Sequence, residues 1–125
     1  VGADGVIVTT ESVDMGNPKV VRSSAGSLFH LPVIEHVNLL EVIADARACG
    51  MQILAADGSG APLGQGTDLA VPTVWVFGNE AWGLPADVIA ACDQVVAVPI
   101  YGKAESLNLA TAASVCLYAS ARAHR

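Results

Sequence analysis

The sequence predicts an α/β fold, a mostly parallel sheet with helices on both faces, and three observations lead there. Five short runs of apolar and β-branched residues are near-continuous rather than alternating, which is the pattern of strands buried on both faces. Segments with helix start and stop signals separate those runs. The 125 residues are 53% hydrophobic and only 14% charged, enough to bury a core without covalent staples. That balance excludes disorder, a fibrous repeat and a solvated coiled coil. Residues 1–125 therefore read as one domain.

Gly5–Thr9 (GVIVT) is the first predicted strand. Asn17 followed by Pro18 marks a helix start, since proline fits the first helical position, where its missing N–H costs nothing. Pro32–Val37 is the second strand. Asn38-Leu39-Leu40-Glu41 has capping-box spacing, and Gly50 closes that helix as a glycine just past its end. Met51–Ala55 is the third strand, followed by a loop from Ala56 to Pro72 whose Asp57–Asp68 stretch looks flexible. Thr73–Phe77 and Gln94–Val98 are the fourth and fifth strands, with a short helix, Ala86–Ala91, between them. Ser106 is the expected cap of the last and longest helix, which runs to about Arg122. Three loops, Ala56–Pro72, Gly78–Pro85 and Pro99–Glu105, leave strands at the carboxyl edge, where open α/β sheets bind ligands.

Twelve acidic residues against six basic ones give a net charge of -6. This is the wrong sign for gripping phosphates over a broad surface. The odd, widely spaced Cys49, Cys92 and Cys116 sit in apolar stretches and fit reduced thiols packed in a cytoplasmic core. His30, His36 and His124 lack metal-ligand spacing, so no metal is expected, and His36, inside a strand, reads as a packing or hydrogen-bonding residue. Leu107–Ala121 is apolar, but Asn108, Thr111 and Ser114 interrupt it within the span a bilayer requires; it reads as a buried helix, with no membrane partner. The chain opens Val1-Gly2-Ala3-Asp4 without Met or a signal-like segment, which fits a start partway along a longer protein.

Among chemical motifs, Gly58-Ser59-Gly60-Ala61-Pro62-Leu63-Gly64 nearly matches a dinucleotide fingerprint. Leu63 replaces its third glycine and Pro62 interrupts the helix entry. A dinucleotide-dependent oxidoreductase is the alternative that this loop would support. No hydrolytic triad or nucleophile elbow is visible. The second loop sets Asn79 and Glu80 between Gly78 and Gly83, and the third delivers Ser106 and Asn108 at a helix start. On spacing alone, a cap and a first-turn polar residue account for Ser106 and Asn108, and a solvated loop acid accounts for Glu80.

The segments Val76–Leu84 (VFGNEAWGL) and Val98–Leu109 (VPIYGKAESLNL) resemble the second and third signature motifs of the SpoU/TrmH family of RNA ribose 2′-O-methyltransferases, within the SPOUT superfamily. Asn17–Pro32 (NPKVVRSSAGSLFHLP) resembles a helix between that family's early strands. The three matches come in the family's order and span essentially the whole chain. The resemblance implies a SPOUT-type trefoil knot at the C-terminus, where the threaded segment forms an S-adenosylmethionine pocket. Cofactor contacts then fall on Ala56, Gly78, Val98, Ile100 and Leu107, mainly through backbone groups.

Glu80, Ser106 and Asn108 match the family's catalytic polar positions. By that resemblance Ser106 and Asn108 orient the ribose or an arginine of the first motif, and Glu80 holds the loops together or aids that arginine. Positioning and proton removal would carry the chemistry, with no metal. The implied partners are RNA, ribosomal or transfer, and a second copy of the chain, with Trp82 and Tyr118 at the homodimer interface. The first-motif arginine has no counterpart here, because the family carries it upstream of a stretch like Gly2–Ile7. Arg22 belongs to a different motif and fits a surface or interface role. The expectation is thus a C-terminal methyltransferase domain lacking its N-terminal part, inactive alone. The alternative is a non-catalytic module of the same fold that binds S-adenosylmethionine or RNA, or dimerises.

Overall fold

The computed structural model describes residues 1–9, 30–79 and 81–125. Its elements are β1 (Val6–Thr9), β2 (Val33–Val37), α1 (Leu39–Ala48), β3 (Gln52–Pro62), β4 (Thr73–Phe77), α2 (Ala86–Ala91), β5 (Gln94–Ala97) and α3 (Leu109–Ala123). The expected helix start at Asn17-Pro18, together with Arg22 and Glu80, lies outside the described residues.

All strand pairs are parallel. Among the described residues they form two sheets rather than one, β1-β2 and β4-β3-β5. Near-continuous apolar runs mark strands but carry no information about which neighbours pair, and β1 and β2, expected to be buried on both faces, leave Val6, Ile7 and Ile34 exposed in the two-stranded sheet of the described residues. In the three-stranded sheet, successive side chains of β3 point to opposite faces. Ile53 packs with Ile43 of α1, Val76 of β4 and Val88 of α2. Leu54 packs on the other face with Leu69 and Val96, against Ala119 of α3. Helices therefore cover both faces of this sheet.

Helix α1 begins and ends where the sequence sets its limits. The Asn38 Oδ1 accepts from the Glu41 N–H at 3.1 Å. At the far end Gly50 takes φ +83°, and the Gly50 and Met51 N–H groups donate to Arg47 and Ala46 carbonyls. This paired closure needs a left-handed residue just past the helix, which glycine adopts at no steric cost. The turn puts Cys49 at the helix end, exposed to solvent. Of the three thiols expected in the core, Cys116 is fully buried and Cys92 is half-buried. Burial pushes the Cys116 thiol up to about 11.

Three further expectations change. Helix α3 is capped by Asn108, not Ser106: the Asn108 Oδ1 accepts from Ala110 N–H at 2.9 Å and Thr111 N–H at 3.4 Å. Strand β3 does not stop at Ala55 but runs to Pro62, with Ala56 and Ala61 both opposite Val96. The register shift lifts residues 57–60 out of the ladder. Gly60 makes the approach possible, since a Cβ there would overlap the Val95 carbonyl and stand 2.6 Å from Val96 N. Finally, His36 is not packed. It sits at φ +57° where the β1–β2 register slips between Val8 and Thr9, an extra residue that the bulge turns outward.

A polar latch ties the helices to the sheet. Arg47 of α1 donates to the Ala91 carbonyl at 2.5 Å and to Asp93 Oδ1 at 2.9 Å. The other Asp93 oxygen accepts from Ile53 N–H at 2.7 Å. On the opposite face, Trp75 Nε1 donates to Ser120 Oγ at 2.8 Å and fixes α3 to β4.

Candidate functional site

The strands run parallel, so the interruption of β3 after Ala56 and the segments that follow β4 and β5 converge on one edge, and backbone groups not used in the ladder face the gap. In this protein the gap is a cleft of about 420 Å³. Ala56 lies on its floor beside Phe77 and Gly78 after β4, and Val98, Ile100 and Leu107 wall it after β5. Its size is within the usual range for small-molecule sites, and most of its wall is aliphatic or backbone.

The loop after β4 is held tightly. Gly83 N–H donates to the Asn79 carbonyl at 2.7 Å, and Asn79 Oδ1 accepts from Ala81 N–H at 2.6 Å. A Cβ on Gly78 would stand 2.5 Å from the Gly83 carbonyl carbon, so a residue without a side chain is required where the loop folds back. The crossing exposes the backbone of both glycines to the cleft.

All five residues assigned to cofactor contact in the sequence, Ala56, Gly78, Val98, Ile100 and Leu107, line this one cleft. So do Ser106 and Asn108, while Glu80 lies outside the described residues. Asn108 takes part in the wall and in the cap of α3 together.

Sequence reasoning passed over Asp57 and Glu105 as site residues, although both line the cleft. Asp57 Oδ1 accepts from the Ser59 hydroxyl at 2.7 Å and from the Ser59 N–H at 3.0 Å. These two hydrogen bonds hold its carboxyl below the ordinary carboxylate value. Its other oxygen faces Gly83, 3.7 Å from where a Cβ on that glycine would sit. The available signal was the Asp57-Gly58-Ser59 sequence just past the apolar run Met51–Ala55, where an acid two residues before a serine can fold back on it. With two acids and no basic side chain among its lining residues, the cleft favours a ligand with positive charge and apolar surface.

No group of three or more histidine, cysteine or acidic side chains among the described residues has the geometry of a metal site. No described helix is long and apolar enough to cross a membrane.

Comparison with known proteins converges on one family. Residues 1–118 match the SpoU rRNA methylase family. A 23S rRNA (uridine(2479)-2′-O)-methyltransferase of Streptomyces viridochromogenes is 39% identical over 126 residues, covering 97% of this chain and 44% of that protein. The Bacillus subtilis 23S rRNA (guanosine(2553)-2′-O)-methyltransferase RlmP is 36% identical, covering 94% of this chain and 47% of the relative. The chain thus spans about half the length of the curated relatives it matches.

Among solved structures, the SpoU methyltransferase AviRb from Streptomyces viridochromogenes in complex with AdoMet superposes with a TM-score of 0.85 at 36% identity, covering 97% of this chain and 50% of that one. An AdoMet-bound rRNA methyltransferase from Sinorhizobium meliloti gives 0.87 at 33% identity, covering 97% of this chain and 46% of the other. Parallel strands, the carboxyl-edge cleft and the family match over nearly all its length lead to one statement: the chain belongs to the SpoU rRNA methylase family.

Proposed function

We propose that the protein is an S-adenosylmethionine-dependent RNA ribose 2′-O-methyltransferase and that the carboxyl-edge cleft is its cofactor site. One observation carries the reading: the five residues assigned to the cofactor, drawn from segments up to 51 positions apart (107 − 56), line a single cleft. Relatives crystallised with AdoMet support it further. When bound, the cofactor supplies an electrophilic methyl group on a positively charged sulfur.

The residues present fit such a ligand. Val98, Ile100 and Leu107 offer an apolar slot for a purine ring, and backbone groups at its edge can pair with the ring nitrogens. Asp57 and Glu105 bring negative charge to the wall and attract the sulfonium. Ser106 and Asn108 orient the acceptor ribose, or the first-motif arginine that would activate its hydroxyl for loss of the proton, and such positioning lowers the barrier to methyl transfer. Glu80 is the remaining catalytic candidate, holding the loops together or aiding the first-motif arginine. Asp57 and Glu105 would hold a cationic ligand more tightly than a neutral one.

RNA, ribosomal or transfer, is the proposed substrate class. The same reading holds that residues 1–125 are one methyltransferase domain, knotted as a trefoil near its C-terminus, which works as a homodimer in the cytoplasm. Tyr118 and Val115 are exposed on neighbouring turns of α3 and offer apolar surface to the second copy.

Calorimetric titration tests the ligand class. S-adenosylhomocysteine binds with a stoichiometry of one per chain and NAD does not bind, and Gly78→Ala abolishes the heat by forcing the two glycines apart. Binding of NAD in place of S-adenosylhomocysteine would overturn the reading.

A further inference from the structure

Two large aromatic side chains that adjoin cleft residues in the chain are mostly exposed to solvent. Trp82 is 82% exposed and Tyr101 is 95% exposed. The contrast with Trp75 is sharp, since that indole is half-buried and hydrogen-bonded to Ser120. Each exposed ring is tethered to the site. Trp82 directly precedes Gly83 and Tyr101 directly follows Ile100, and both neighbours line the cleft. The Trp82 loop is pinned at its base by the Asn79–Gly83 hydrogen bond of 2.7 Å, so the ring is carried on a short, closed support.

We propose that Trp82 and Tyr101 form a base-stacking platform for the RNA nucleotides around the acceptor ribose. The inference rests on the cofactor reading above and names how the substrate is held at that same site. A ribose that reaches into the cleft brings its own base and its neighbours to the mouth, within reach of residues that adjoin Gly83 and Ile100 in the chain. Single-stranded RNA is recognised through bases stacked on aromatic side chains, whatever their sequence. The charge of the chain points the same way: with a net charge of -6 and acids in the cleft, phosphate attraction is weak, and stacking supplies contact that does not depend on positive charge.

The test uses the intact protein, first titrated with S-adenosylhomocysteine and then, saturated with it, with a single-stranded oligoadenylate of about ten nucleotides. Stacking on Trp82 quenches its emission. Trp82→Ala removes the quench, and Trp82→Ala and Tyr101→Ala each weaken oligonucleotide binding on the order of ten-fold, while Trp82→Phe and Tyr101→Phe restore most of it. S-adenosylhomocysteine affinity is unchanged in all four variants. Parental oligonucleotide affinity in both alanine variants would overturn the platform. So would a shift from dimer to monomer on sedimentation with RNA binding intact, which would make the rings a contact between copies. Failure of the parental protein to bind S-adenosylhomocysteine appears before RNA is added, and it would remove the cofactor reading and this inference together.

Discussion

Asn108 holds two duties in one side chain, and they can be separated. Its Oδ1 caps α3 through Ala110 and Thr111 N–H groups, and the residue also lines the cleft. Aspartate caps a helix as well as asparagine does, but it has no amide N–H to donate. Asn108→Asp should therefore keep the melting temperature close to parental while RNA methylation falls at least ten-fold. Asn108→Ala should lose both, with about 1 kcal/mol of stability gone with the cap. Thermal unfolding of the two variants, and single-turnover methyl transfer with each placed in the full-length protein that carries the first-motif arginine, check this, and parental methylation by Asn108→Asp would show that the amide has no chemical part. Spacing gave the cap to Ser106 rather than Asn108, although both lie within reach of the first turn. The hydrogen bonds decide for Asn108, and Ser106 is left in the cleft wall.

Local signals defined some elements fully and others only in part. Helix α1 was legible from Asn38 to Gly50 because both ends depend on short-range hydrogen bonds, which adjacent residues encode. Strand β3 was legible only as far as Ala55, since its continuation to Pro62 depends on Gly60 passing close to Val95 and Val96 of β5. That is a contact across 35 positions (95 − 60), and glycine in a short window reads as a turn. The Arg47–Asp93 latch was invisible for the same reason, its members being 46 residues apart. It makes a prediction for these elements. Asp93→Ala strands the buried Ile53 N–H and releases Arg47, and it should cost roughly 1–3 kcal/mol, mostly from the unpaired donor. Arg47→Ala leaves the Asp93–Ile53 bond in place and should cost distinctly less. Urea unfolding of both variants measures the difference, and equal losses would move the weight of the latch to the ion pair.

At the scale of the molecule, the parallel strands, and the helices on both faces of the three-stranded sheet, were legible from hydrophobic runs and caps, and the carboxyl edge followed from them as the place to look. The separation into two sheets was not legible, because pairing is a long-range choice. The residues of the cleft were drawn from family motifs rather than from periodicity; of the two acids that carry its charge, Asp57 lies outside those motifs and Glu105 lies within the third, where it was not singled out. The account stands on the claim that this charged, mostly aliphatic cleft receives a methyl donor. The most direct measurement is a crystal structure of the protein grown with S-adenosylmethionine. It should show the adenine against Val98, Ile100 and Leu107 and the sulfonium on the side of Asp57 or Glu105. An empty cleft at saturating ligand, or the ligand bound elsewhere on the chain, would contradict it.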